Sequence, residues 1–451
     1  MGGSVRFGRA GYGCKTVSTV SAARRPAQST APSPGPARLA ALAVVVTALG
    51  LTVWLHARYP DALVTLLPSP DMAELHVDFD TFWHSAVALV HGGDLYDTPA
   101  KLTNLNPPVL SVLLALFAAT SSLVGYRIFA VLTALMVVGA VLAVTRELRL
   151  SPRTQIAVLG VVLASSPLHG TLVLGQIYGM LLVGLVAGWI ADRRGHPVVG
   201  HALYGVTIAV KPSLAPILLL ALVERRWRAF GAGVAAGAAA TLVGLVAAGP
   251  ENTLAWVRIA LTEPVPDTVD NASLPGLAVR FGLPGIVGTL AGLVVLAVTV
   301  GLLARHRDRV DPAGTAPWAL LAAGLLFAPI AWHNYLLLLW PGVLVLARTR
   351  AATAAALLAV ALIPVSWNAI WPPEGLAADV GRSLYCAILL AHWLLLLRAA
   401  VGTPHDAPDK PTAADYGDED PAEPAPALSV SGTSHNTPVG GSRSSAEAGR
   451  P

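Results

Sequence analysis

HVDFDTFWHSAVALVHGGDLYDTPAKLTNLNPP, residues 76–108, sits between two long apolar runs and gathers Asp78, Asp80, Asp94 and Asp97 among aromatic rings. Phe79, Phe82, Trp83, Ala86 and Val90 recur at helical spacing, with His84, His91 and Asp94 largely off that stripe. The pattern predicts a short amphipathic helix lying in a membrane interface. Gly92-Gly93 stops it, and Pro107-Pro108 reopens the chain into the next apolar run. Asp78 or Asp80 falls at its N-terminus, where two readings stay open. An aspartate there accepts hydrogen bonds from the first helical amides as a cap. It also serves as a general base held at a membrane surface.

Outward from this stretch, the chain is that of a membrane protein. Of 451 residues, 54% are hydrophobic and 12% charged, about half the charge of a soluble domain. Successive apolar runs approach the roughly 20 residues that cross a bilayer. They begin near residues 39, 108, 126, 154, 175, 197, 213, 229, 283, 316, 333, 352 and 382. The fold class is therefore an all-α polytopic membrane protein; a β-barrel would show short alternating segments instead. The net charge of +4 gives no reason to expect nucleic-acid binding. Two cysteines, Cys14 and Cys386, provide no disulfide framework or thiolate metal site.

Charge distribution orients the spans. Residues 1–37 carry five basic and no acidic side chains and read as a disordered cytoplasmic arm. Basic clusters at Arg146–Arg153, Arg193–Arg194, Arg225–Arg228, Arg305–Arg309 and Arg348–Arg350 belong inside. The acid-rich loops 56–106 and 250–282 belong outside, and both tails in the cytoplasm. Residues 38–401 form the membrane domain, and 402–451 an acidic, Pro-rich disordered tail. Thirteen full crossings would put the tails on opposite sides, so about 12 spans are expected, with at least one run broken. Lys211-Pro212 is one candidate break, because proline interrupts a helical ladder.

Polar residues in apolar surroundings supply further candidates. Lys211 lies in a run otherwise free of charge, where an ionisable side chain is expensive and marks function or snorkels to a nearby interface. Gln176, His333 and Asn334 sit near expected outer helix ends, where an interhelical hydrogen bond is the simplest use. Asn271, Ser273 and Arg280 lie in the second outer loop, and Arg280 either clamps a phosphate or anchors a helix end. Gly-rich phosphate loops, His-rich metal motifs and nucleophile elbows are absent from the sequence.

In order, DFDTFWHSA, GGDLYD, NPP, Gly175-Gln176, Lys211-Pro212 before ERRWRA, NASLPGLAVR at 271–280 and APIAWHNYLLLLWP at 328–341 resemble the polyprenyl-phosphate-sugar-dependent glycosyltransferases of family 87. These membrane enzymes share the GT-C fold, and the similarity covers roughly residues 40–400. Asn334 stands where many relatives carry a second histidine. The resemblance implies a GT-C-like bundle and transfer, with inversion, of a sugar from a polyprenyl-phosphate donor to a glycolipid or cell-envelope glycan at the outer face. Mannose is the expected sugar and arabinofuranose the alternative. The Asp-Phe pair favours Asp78 as base, with Asp80 second. It further implies Lys211, Arg280 and His333 on the phosphate side, with Gln176 and Asn271 positioning substrate. No cofactor or metal is expected, since lysine and arginine can neutralise the phosphate. A lipid or solute transporter is the alternative from another class, with Asp78 and Lys211 as coupling residues. Asp78, Lys211 and His333 are expected to line one outward cavity.

Overall fold

The computed structural model describes residues 36–58, 76–307, 314–348, 350–361 and 375–402. Residues 1–35, 59–75, 308–313, 349, 362–374 and 403–451, which include most of both tails, fall outside these residues. Seventeen α-helices and no β-strand occur among the described residues. They are α1 (Pro36–Arg58), α2 (Val77–His91), α3 (Pro108–Leu114), α4 (Ser122–Glu147), α5 (Pro152–Leu163) and α6 (Ser166–Leu174). Next come α7 (Tyr178–Arg193), α8 (Pro197–Val210), α9 (Leu219–Val223), α10 (Trp227–Thr262), α11 (Leu274–Arg280) and α12 (Gly285–Arg305). The last five are α13 (Ala316–Phe327), α14 (Leu336–Ala347), α15 (Ala351–Val360), α16 (Leu376–Arg382) and α17 (Leu384–Ala400).

Three helices, α4, α10 and α12, are each long and apolar enough to cross a membrane, and the bent pairs α5–α6 and α16–α17 raise that to five. The remaining apolar helices are shorter. At the centre lie α13, buried from Ala316 to Leu326, and α14, buried from Leu336 to Leu346. A helix that is apolar on every side must be surrounded by others. Gly342 makes this packing close, because a side chain there would meet Cβ of Trp318 at 2.5 Å.

The bundle has two chemically distinct ends. At one, Glu147 closing α4 is held by Arg194 at 3.0 Å and Arg193 at 3.6 Å, both closing α7. Asp192 pairs with Arg226, just before α10, and Arg226 also reaches Glu224 at 2.9 Å. Three helices, α4, α7 and α8, run between this basic end and the other. The 26 residues of α4 span roughly 39 Å at 1.5 Å per residue. Their opposite terminus, Ser122, donates to Asp80 at 2.6 Å. Likewise α7 begins beside Gln176, and α8 returns from Pro197 to Lys211.

The break at Lys211-Pro212 falls where the sequence places it. Lys211 is extended (φ −140°, ψ 90°), and the chain resumes as a 3-10 turn over Pro212–Leu218 before α9. The second outer loop differs from expectation: residues 250–262 continue as helix. Gly249 (φ 78°, ψ 169°) turns the chain, and Pro250 restarts it with no donor to lose. α10 is thus two helices joined at a kink, its second half lying over the acid-rich end. Asn252 there accepts a hydrogen bond from Leu95 N at 2.8 Å, tying the two acid-rich loops together.

Candidate functional site

α2 forms where the sequence predicts, and its apolar face is a packing face. Phe79 and Phe82 are buried. Phe79 meets Phe117 edge-on with centroids 5.7 Å apart and lies 5.1 Å from Phe129. Trp83 donates to the carbonyls of Phe117 and Thr120 at 3.0 and 3.2 Å. Neither Asp78 nor Asp80 caps the helix; the N-cap position is His76, with no side-chain cap bond. Both carboxylates are instead used across the bundle. Asp80 accepts from Ser122 and lies 3.7 Å from His84.

Asp78 accepts a 2.6 Å hydrogen bond from Nε2 of Gln176, 98 residues away. Gly175 makes this meeting possible. It ends α6 in a left-handed conformation (φ 72°), and a Cβ on it would meet Phe79 Cβ at 2.4 Å. Only glycine lets α6 stop against α2 and turn Gln176 onto the acid. α2 is outside the membrane-spanning candidates. Burial pushes the Asp78 carboxyl up to about 6, against the opposing pulls of the Gln176 hydrogen bond and the Lys211 charge. A carboxyl held there is mostly ionised at neutral pH yet more basic than an ordinary aspartate, which suits a proton acceptor.

Lys211 Nζ donates to Asn106 Oδ1 at 2.9 Å and stands 5.9 Å from the Tyr335 ring centroid. Tyr335 packs on Tyr178, centroids 4.6 Å apart, next to Asp78. Acid and cation therefore flank a tyrosine pair. Lys211 and Asn106 also line a cavity of about 680 Å³. Its walls are mostly apolar: Pro216, Leu219, Trp256, Ile259, Phe327 and Trp332 are among them. Of the three residues expected to share a cavity, Lys211 lines this one, and Asp78 and His333 are not among its lining residues. Tyr335 faces Lys211, while His333, two residues earlier, packs on Tyr385.

His333 belongs to a second polar cluster. It is 2% exposed and packs on Tyr385, ring centroids 5.3 Å apart; its Nδ1 lies 3.9 Å from Asp270 Oδ1. Neither ring nitrogen has a hydrogen-bond partner among the described residues, nor has the Asn334 carboxamide. Both side chains press on Gly170, where a Cβ would meet Asn334 Oδ1 at 2.4 Å and His333 Nε2 at 2.9 Å. Arg280 Nη1 donates to the carbonyls of Thr268 and Asn271 at 2.7 and 2.9 Å. Burial raises Asp270 to about 6 despite the nearby Arg280 charge. Asn271 is spent on backbone: its amide donates to Pro266 and Pro329, and its oxygen accepts from Ser273 N and Ala331 N. These bonds tie the loop before α11 to the turn before α14. No group of three or more His, Cys, Asp or Glu side chains able to hold a metal occurs among the described residues.

The fold and site define an all-helical membrane protein with a buried acid, a cation and an apolar groove at one end. Residues 104–329 match the sequence profile of glycosyltransferase family 87, and the chain belongs to that family. An α-(1→3)-arabinofuranosyltransferase of Corynebacterium glutamicum is 27% identical over 159 residues, covering 31% of this chain and 35% of the relative. The match thus spans about a third of that curated protein. Asn106, Gln176, Lys211, Asn271 and Arg280 fall within the family match; Asp78 and His333 lie on either side of it.

The sequence did not single out Asn106, Tyr178, Tyr335 or Trp256. Asn106 carried one weak signal, as the polar member of Asn-Pro-Pro directly before an apolar run.

Proposed function

We propose that this chain moves a sugar from a polyprenyl-phosphate donor to a glycolipid or envelope-glycan hydroxyl at the outer face of the cell membrane, with inversion. The observation that carries this reading is a buried acid, Asp78, within the electrostatic influence of Lys211, which itself lines an apolar groove, in a chain of family 87. Asp78 takes the proton from the acceptor hydroxyl as its oxygen attacks the anomeric carbon. The bond from that carbon to the phosphate oxygen breaks, and polyprenyl phosphate leaves. Negative charge grows on the departing phosphate, so a fixed cation beside it is worth most in the transition state. Lys211 supplies that cation, and the groove beyond it suits the first isoprenoid units. A displacement of this kind needs one base and no second carboxylate.

Gln176 orients Asp78. Asn271 acts indirectly, by joining the loops that carry Arg280 and His333, and those two form the outer rim on the phosphate or acceptor side. Mannose is the sugar implied by the resemblance. The second reading is arabinofuranose, favoured by the printed activity of the Corynebacterium protein over the stretch that aligns. Membranes carrying the full chain, given labelled polyprenyl-phosphate mannose or polyprenyl-phosphate arabinofuranose separately, should label a glycan from one of them. Transfer from neither would overturn the reading.

A further inference from the structure

Lys211 is held by a neutral group. Asn106 Oδ1 accepts from its ammonium at 2.9 Å, and no carboxylate lies within ion-pair distance of it among the described residues. The hydrogen-bond network fixes which end of the Asn106 carboxamide faces the lysine. Its Nδ2 donates to Asn104 Oδ1 at 3.2 Å, an oxygen that also accepts from Asn106 N at 2.9 Å. Asn104 Nδ2 donates in turn to Ser85 Oγ at 3.0 Å, and Ser85 donates to Leu95 O at 2.7 Å. Ser85, Asn104 and Asn106 are all buried, so this chain of amides has little freedom to reverse. Ser85 is on α2, seven residues and about two turns beyond Asp78. The helix that carries the acid therefore also sets, through two asparagines, where the cation stands.

We propose that Asn106 is a positioning residue that holds Lys211 as an uncancelled positive charge for the phosphate of the donor. A carboxylate at this position would reach the lysine but neutralise it, and it would lose the amide donor to Asn104 Oδ1. A purely apolar residue would leave it charged but loose, on a stem with several free rotors. A carboxamide oxygen alone does both jobs, using one of the ammonium's three donors and leaving two for the ligand. Both residues line the groove, so a phosphate on an apolar chain lying there meets the lysine directly.

This inference rests on Lys211 being the phosphate ligand, and the test separates the two. Purified full-length chain in nanodiscs is titrated with sugar-free polyprenyl phosphate and with the neutral polyprenol. Donor KM, kcat and melting temperature are measured alongside. Asn106→Asp should weaken polyprenyl-phosphate binding and raise donor KM about tenfold or more, through an ion pair to Lys211. Polyprenol binding should stay close to wild type and the variant should remain folded, while kcat at saturating donor should fall as well, because the cancelled charge is worth most in the transition state. Asn106→Ala should show a smaller loss of the same kind. Unchanged phosphate affinity in a folded Asn106→Asp protein overturns the proposal. So does equal loss of phosphate and polyprenol binding, or failure of both variants to fold, since either assigns Asn106 a scaffold role. If Lys211→Gln leaves phosphate binding intact, the phosphate role of Lys211 itself fails. A loss there with none in Asn106→Asp fells only the Asn106 assignment.

Discussion

Gln176 Nε2 stands 2.6 Å from Asp78 Oδ2, and this contact joins the end of α6 to the start of α2. The hydrogen bond stabilises the ionised acid, while burial disfavours it, and burial is the larger influence. The carboxyl settles at about 6. As a base it must be ionised, so kcat/KM should rise with pH through about 6 and level off above. Gln176→Ala removes an influence that lowers the pKa. The acid limb should then move to higher pH by up to about one unit, with activity recovering on the alkaline side. A pH–rate profile of the two proteins checks this. Asp270 is also raised to about 6, so Asp270→Asn is the control: it should keep the limb.

The same burial has a sign for stability. A carboxyl whose pKa is raised from 3.8 to about 6 stabilises the folded state below its unfolded value and loses that contribution as pH climbs through 6. Asp78→Asn keeps the shape without the charge, so above pH 6 it should melt a few degrees higher than wild type. Below pH 4 the two should melt alike, as thermal scans in detergent at both pH values would show.

Gly175→Ala tests the geometry that brings Gln176 to the acid. The added methyl group meets Phe79 Cβ at 2.4 Å on a backbone with φ 72°. Overpacking and strain of this kind cost roughly 1–3 kcal/mol each. The variant should melt lower and lose most transfer activity, whereas Gly50→Ala, with open space around it, should do neither.

The groove gives a chain-length prediction. Ala215 is exposed within it, and Ala215→Trp would fill space that isoprenoid carbons occupy. Each buried methylene is worth about 0.8 kcal/mol. Displacing two or three of them should raise KM for a long-chain donor about tenfold or more and hardly affect a two-isoprene analogue. Equal KM changes for both donors would argue that the chain lies elsewhere.

How much of this was legible in the sequence depends on how each residue acts. Asp78, Gln176 and Lys211 stood out because polar groups in apolar surroundings are costly, and the Lys-Pro break showed where backbone must open. The two possible bases could be told apart only by partners 42 and 98 residues distant, Ser122 for Asp80 and Gln176 for Asp78. Asn106 was hidden because a loop asparagine before prolines is ordinary until a lysine from another helix meets it. Asn271 looked like a substrate group, yet its four backbone contacts come from segments up to 60 residues apart. The helical second half of α10 was missed because Gly249-Pro250 reads as a stop, although Pro250 followed by Leu254, Val257 and Leu261 at helical spacing also reads as a start.

The most direct test is the initial rate of sugar transfer from labelled polyprenyl-phosphate donor by Asp78→Asn, measured at saturating donor with protein levels matched to wild type. Loss of a general base costs typically 10² to 10⁴-fold in rate. A fall of about that size, with polyprenyl-phosphate binding retained, is expected. Transfer at the wild-type rate would contradict Asp78 as the base and, with it, the proposed site.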